Sequence, residues 1–408
     1  MTNYKKALWF TLPAWGHTIP VARFASRFNG YRIDHTICST GEWLEYFKKL
    51  GFNTVDYKND YPLFPDVDSI TTNSGIKTLV KAFERLISLS SSVVLDKKQK
   101  LEFGQFDLLF CDAVSLPIAL HIKQPHQKIV CYQTSIMLPP RVAKNIITRY
   151  KHTKVSAQLL LLALETIIYT PKILYLTNKF SRLSNTPMKI SDVLNPSTDY
   201  SIALTSKYFQ ILPEESLNAY FIDPCLNINH KVKAPEKRAY ISFGTMNISK
   251  VDTLKPVIVS LIKHKYKISI KVPDNFTADW LGYENITRKP FFDQISELQQ
   301  ASLFVTHAGK NSCDEAIFTK TPTICIPQAN DQFILAARMQ ELGLGEIFIP
   351  NKKESFTKVL RRIEEGSEFY KNNLIGAYQK HIKCPDCKSD FRRLTNDLDL
   401  DPICSAEE

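Results

Sequence analysis

Short apolar runs alternate with amphipathic stretches along this chain, and the alternation comes in two series. In the first, ALWFTLP, RIDHTICST, NTVDY, DLLFCDAV and KIVCYQTS read as strands. PVARFASRF, EWLEYFKKL and GIKTLVKAFERLISLSSSVVL lie among them and read as helices. Such a pattern builds a parallel sheet covered by helices on both faces. The second series repeats it, with RAYISFGT, KISIKVP, SLFVTH and PTICIP as strands and SELQQA, NSCDEAIF and ILAARMQELG as helices. At 408 residues the chain is longer than one core usually organises. Two doubly wound α/β domains are therefore expected. FIDPCLNINHKVKAPEKR, rich in Pro, Asn and Lys and without periodicity, separates the two series as a linker. The expected division is a first domain at 1–226, a linker at 227–237 and a second domain at 238–365. A helical segment at 366–395, crossing back to the first domain, and a frayed acidic tail at 396–408 complete it.

Hydrophobic residues make up 44% and charged residues 23%, as in ordinary globular proteins. MTNYKKALWFTLP has only a short apolar stretch, broken by Pro13, so it reads as a first strand and not as a signal peptide. The most apolar segment, AQLLLLALETIIYTPKILYL, starts at Ala157 and is interrupted by Glu165, Pro171 and Lys172. That leaves it short of the roughly 20 uninterrupted apolar residues of a membrane span. It reads as a buried helix, or more rarely as one that lines an apolar pocket or touches a bilayer surface. Cys38, Cys111, Cys131 and Cys325 lie in strand-like runs, where a reduced thiol acts as a small hydrophobe. Together with the N-terminus, this points to the cytoplasm. Cys384 and Cys387 form a CPDC with only His381 and Cys404 nearby, so no metal site is expected there. The net charge of +11 suits an anionic ligand or surface.

The chemistry concentrates in THAGKNSCDEAIFTKTPTICIPQANDQ, residues 306–332. His307 ends a strand, Gly309 lets another group approach the backbone, and Asn311 and Ser312 open a helix. Helix N-termini at the carboxyl ends of parallel strands favour phosphate. Glu315 lies one turn beyond Ser312 on the same face and can accept from two ribose hydroxyls. A plainer reading stays open: Ser312-x-x-Glu315 also fits a capping box, and Asp331 also fits a plain N-cap. No GxGxxG or GxxxxGK[ST] occurs, so neither dinucleotide nor P-loop binding is expected. Asp397-Leu-Asp399-Leu-Asp401 resembles a metal motif but reads as part of a solvated tail.

This segment resembles the donor-binding signature of the GT-B UDP-glycosyltransferases of family 1. His307, Gly309, Asn311, Ser312, Glu315, Pro327, Asp331 and Gln332 all match, with Ala308 where Gly is commoner. In RKPFFDQISEL, Phe291 matches the residue that stacks on uracil, Phe292 the one offering its backbone to the base, and Gln294 the Gln of the pattern. Asp293 replaces the usual Pro. In SFGT, Thr245 matches the β-phosphate contact. Gly16-His17 and Pro20 in LPAWGHTIP match the family's catalytic context. The resemblance implies that His17 is the base and that Asp112, at a later strand end, is its partner. Asp107 sits at the wrong end of its strand for that role.

The resemblance therefore implies a GT-B fold, with acceptor binding in the first domain and nucleotide-sugar binding in the second. It implies inverting, metal-independent transfer of a hexose, with glucose first, from a UDP-sugar to a hydroxyl. No separate cofactor and no nucleic acid are implied. The acceptor is expected to be a small, moderately apolar molecule held around residues 60–100 and 135–185. A lipid or sterol at an anionic membrane surface is one alternative. A catalytically inactive nucleotide-sugar-binding protein is another.

Overall fold

Ala7 to Phe10 are all buried, because a central parallel strand has helices on both faces and needs apolar residues on each. These residues belong to β1 (Lys5–Phe10) of a computed structural model that describes residues 4–56, 80–81, 84, 103–113, 115–137, 142–184, 187, 198–211, 218–226, 237–244, 254–274, 276–328, 331–350 and 354–403. The first domain continues through α1 (Trp15–Ser26), β2 (Ile33–Ser39), α2 (Gly41–Lys49), β3 (Asn53–Asp56), β4 (Leu108–Asp112) and α3 (Leu116–Ile122). It ends with β5 (Lys128–Gln133), α4 (Val142–Tyr150), α5 (Ser156–Ser184), β6 (Tyr200–Ala203) and β7 (Tyr220–Phe221). The sheet is parallel throughout, in the order β3-β2-β1-β4-β5-β6-β7. Alternation along β1 divides the core. Ala7 and Trp9 face one helix layer, with Phe24, Phe28 and Phe110. Leu8 and Phe10 face the other, with Leu109, Cys111 and Cys131. Burial raises the Cys38 and Cys325 thiols to about 12, so both act as packing groups.

The second domain holds β8 (Arg238–Ser242), α6 (Lys255–Lys263), β9 (Lys267–Lys271), β10 (Ile286–Lys289), α7 (Gln294–Gln300), β11 (Leu303–Thr306) and α8 (Lys310–Thr319). Then come β12 (Thr323–Cys325), α9 (Asp331–Glu341), β13 (Gly345–Ile347), α10 (Phe356–Glu365) and α11 (Ser367–Ala377). Its parallel sheet runs β10-β9-β8-β11-β12-β13. In both sheets the order reverses beside the first strand, between β1 and β4 and between β8 and β11. Each reversal opens a crevice at the carboxyl ends of those strands.

A π-helical turn (Tyr378–Ile382) leads to α12 (Pro385–Asp397), which packs on the first domain. Phe391 meets Phe28 at 5.0 Å, and Asp390 accepts from the Phe221 backbone N–H at 2.9 Å. The expectation of a frayed acidic tail fails as far as Ile403. Leu398 and Leu400 alternate with the aspartates and are buried in the first domain's core, and Ile403 donates its N–H to the Gly30 carbonyl. Asp397 bonds the Tyr220 hydroxyl, and Asp399 lies 3.6 Å from both Lys5 and Lys128. The CPDC cysteines are joined as a disulfide.

α5 corrects the reading of a buried, interrupted helix. It runs unbroken for 29 residues through Glu165, Pro171 and Lys172. Pro171 removes one backbone donor, while Thr166 and Thr170 donate their hydroxyls to the Leu162 and Thr166 carbonyls at 2.8 Å. Among the described helices it alone is long and apolar enough to cross a membrane, yet only 22% of its apolar window is buried. Most of the 227–237 linker, of the helix read at 75–95 and of the 60–100 acceptor region lie outside the described residues; Val80, Lys81 and Glu84 of that helix are described and helical.

Candidate active site

The two crevices face each other, and each carries the side chains that the sequence placed at its strand ends. On the first-domain side, His17 sits in the opening turn of α1, after the Ala14 N-cap. Asp112 ends β4 on the other flank of the reversal and is buried. Its Oδ2 accepts from the Leu12 N–H at 2.9 Å, and its Oδ1 from the Ser115 N–H at 2.7 Å. Two backbone donors thus fix the carboxylate beside the imidazole. Its Oδ2 lies 3.4 Å from His17 Nδ1, and Thr134 Oγ1 stands 3.4 Å from the same nitrogen. Distances of this length are common at catalytic hydrogen bonds without substrate. Asp107 lies at the opposite strand end, where its carboxylate accepts from the Lys6 N–H at 2.8 Å.

Pro20 lies in the second turn of α1. Having no N–H, it leaves the Gly16 carbonyl without its usual helical partner. Asn311 of α8 donates its side-chain amide to that carbonyl at 3.4 Å across the cleft.

On the second-domain side, His307 is wedged between two glycines. A Cβ on Gly309 would lie 2.5 Å from the imidazole Nε2, and one on Gly244 would lie 3.0 Å from Cε1. Gly244 has a φ of +74°, which also favours glycine. Ala308 adopts a φ of +64°, which gives a physical reason for glycine being commoner at that place. Burial lowers the His307 pKa to about 4, with nearby Lys271 adding to the effect, so the ring is neutral. Its Nδ1 has no hydrogen-bond partner among the described residues. Thr245, the expected phosphate contact, lies outside them.

The capping-box reading fails at α8. Gly309 is the N-cap, without a side-chain cap bond, and Ser312 already lies inside the helix. Ser312 Oγ accepts from Gln294 Nε2 at 3.3 Å, and Glu315 Oε2 accepts from the same amide at 2.7 Å. Arg23 of α1 donates to the other Glu315 oxygen at 2.8 Å. Asp293 caps α7, accepting from the Ser296 N–H at 3.3 Å and hydroxyl at 2.7 Å, which accounts for a residue other than Pro there. Phe291 is 73% exposed and open for stacking, whereas Phe292 is buried against Tyr240, as expected of its side chain. Asp331 opens α9, where its Oδ2 accepts from the Ser135 hydroxyl at 2.9 Å. Burial raises its pKa, while Ser135, its own helix N–H groups and the nearby His17 oppose the rise. Gln332 Oε1 turns back to accept from the Gln328 N–H at 2.9 Å.

Several participants were missed in the sequence. Lys271 ends β9, 5.8 Å from the Phe291 ring centroid and within the field of Glu315 and His307. Its position at a strand terminus was the available signal. Thr134 and Ser135 likewise follow β5. Lys310 and Asp314 form a buried pair at 2.6 Å beneath the site. His381, considered only as a zinc ligand, joins that pair: its Nε2 is 2.8 Å from Asp314 Oδ1 and its Nδ1 2.7 Å from Ser206 Oγ.

The family model described as "Glycosyltransferase family 28 C-terminal domain" matches residues 259–381. The glycotransferase of kitacinnamycin superposes with a TM-score of 0.72 at 15% identity, covering 97% of this chain and 100% of that one. The glycosyltransferase VinC, solved in complex with DTDP, gives 0.66 at 14% identity over 97% and 99%. The fold is GT-B. In sequence, the Bacillus subtilis protein YojK, described as an uncharacterized UDP-glucosyltransferase, is 28% identical over 179 residues, 41% of this chain and 44% of that protein. YdhE of the same organism, described in the same way, is 27% identical over 228 residues, 51% and 55% of the two chains. The matched region spans about half the length of these two relatives.

Proposed function

We propose that this GT-B protein is an inverting UDP-glycosyltransferase of the family-1 kind. In this reading it moves a hexose, glucose first, onto a hydroxyl of a small, moderately apolar acceptor. The observation that carries the reading is the opposition of the two crevices: His17 with Asp112 on one side, the α8 N-terminus with Glu315 and Asp331 on the other. The UDP-glucosyltransferase descriptions of YojK and YdhE support a UDP-sugar donor, and the DTDP in the VinC structure supports a nucleoside diphosphate more broadly.

Asp112 accepts from the Nδ1–H of His17, which leaves Nε2 as the acceptor for a substrate proton. The acceptor oxygen attacks the anomeric carbon as that proton passes to Nε2. The bond to the diphosphate breaks on the opposite face, and UDP leaves with the bonding pair. Charge developing on the diphosphate meets the free N–H groups of α8, with Asn311 and Ser312 at the same helix start and Lys271 as a nearby cation. A neutral His307 donates one hydrogen bond without competing for a proton. Phe291 stacks on the uracil, with the Phe292 backbone and Gln294 at its edge. Glu315 accepts from the ribose hydroxyls, and Asp331 and Gln332 accept from or donate to the sugar.

Thermal titration with UDP and a set of nucleotide sugars tests the donor site, with Glu315→Gln as control. Stabilisation by uridine species that the variant loses is the expected result. No stabilisation at millimolar ligand would sink the reading. Donor binding with no transfer to any acceptor would leave a binding protein.

A further inference from the structure

α5 is apolar on two faces, and the protein covers one of them. Leu159, Leu162, Tyr169, Ile173, Leu176 and Phe180 pack inward. On the opposite face Leu160, Leu161, Leu164, Ile167, Ile168 and Tyr175 stand exposed, with Ile167 and Ile168 each at 69%. The spacing holds all six to one side of the helix. A continuous apolar stripe of this kind normally marks a surface that meets something.

The charges around the stripe say what it meets. Continuing the helical period beyond Tyr175 brings in Lys179 and Arg182, both exposed. Lys172 flanks the stripe but is paired with Glu84 at 2.8 Å, so Lys179 and Arg182 carry the border, and Lys151 is exposed just before the helix begins. From Ser156 to Arg182 the only acid is Glu165, against three bases, in a chain of net charge +11. A two-fold pairing of this face with a second copy would bring cations at one end against cations at the other. An apolar band bordered by bases fits a lipid–water boundary with anionic headgroups. The inward face belongs to the domain core, so the helix lies along the surface and does not cross it.

We propose that the exposed face of α5 docks this protein on an anionic lipid bilayer. The assignment stands apart from the transferase reading. If both hold, an acceptor dissolved in the membrane comes within reach of the first domain.

Co-sedimentation of the full chain with phosphatidylcholine vesicles, with and without about one-third phosphatidylglycerol, provides the test. Retention should be about tenfold greater on the anionic vesicles and fall at high salt. The double variant Leu161→Asp, Ile168→Asp should lose about tenfold of that retention while keeping its thermal midpoint. Should it not fold, Lys179→Glu with Arg182→Glu serves in its place and should abolish the preference for anionic vesicles. The proposal is overturned by no retention, by equal retention of wild type and a folded variant, or by a concentration-dependent dimer that Leu161→Asp dissolves without any vesicle retention. Uridine binding, measured in parallel, reports separately on the donor site.

Discussion

The Arg23 guanidinium donates to Glu315 Oε1 at 2.8 Å, tying the first domain to the carboxylate that the proposed donor ribose needs. It does not act alone. Asn311 is held by the Gly16 carbonyl at 3.4 Å, and Asp331 by the Ser135 hydroxyl at 2.9 Å. Three residues of the donor signature thus have partners across the cleft. These contacts engage polar atoms that the proposed donor would also use, so the two compete.

Removing the competitor should therefore help the donor. Arg23→Gln is expected to tighten UDP binding by about tenfold, the lower end of what a hydrogen bond to a charged group contributes. Isothermal titration of both proteins measures this. Weaker binding in the variant would instead make Arg23 a ligand of the nucleotide.

His17 and Asp112 are fixed without help from the second domain, so their loss should spare the donor. His17→Ala is expected to lower turnover by at least about a hundredfold, within the range of general-base catalysis. UDP affinity should stay within about twofold, since the change leaves the phosphate cradle untouched. Asp112→Asn should also lower turnover, because an amide facing Nδ1 favours the wrong tautomer. Transfer surviving within a few-fold in His17→Ala would remove the base assignment.

The sheets were legible because parallel strands are apolar on both faces, as Ala7–Phe10 and Leu303–Thr306 are. β6, β7, β10 and β13 were not read, since each is short and lies at or next to a sheet edge, without an apolar run like SLFV to mark it. The donor signature was legible as local spacing. Its cross-cleft partners were not, because Arg23 and Glu315 are 292 residues apart and nothing local announces the pair. The exposed face of α5 was hidden for another reason. Composition shows that a helix is apolar, but not which of its faces a core will cover.

Lys310 and Asp314 were not singled out in the sequence, yet both are buried. Lys310 Nζ reaches both Asp314 oxygens at 2.6 Å and the Leu204 carbonyl at 3.3 Å. The Lys310 ammonium and His381 hold the Asp314 pKa below the usual carboxylate range despite burial. Lys310→Met should leave that carboxylate with His381 as its remaining partner and without its cation, and destabilise the fold by about 3 kcal/mol. Lys310→Met with Asp314→Leu should recover most of the loss. Urea unfolding of the three proteins decides it, and a single variant within about 1 kcal/mol of wild type would show that water reaches the pair.

Acid should act first through two partly buried imidazoles. His35 accepts from Trp9 Nε1 at 2.9 Å through Nδ1, and burial lowers its pKa to about 4. His307 is lowered to about 4 as well. In the unfolded chain both titrate near 6.5, so between about 6.5 and 4 the unfolded state binds the extra protons. Stability should then be independent of these groups above about pH 6.5 and fall as the pH drops towards 4, by about 1.4 kcal/mol per pH unit for each proton. His35→Gln keeps an acceptor for Trp9 without a titrating ring. Its stability curve should lose about one proton's worth of slope in that window, read from urea midpoints at a series of pH values. An unchanged slope would mean that the His35 ring takes up its proton in the folded protein.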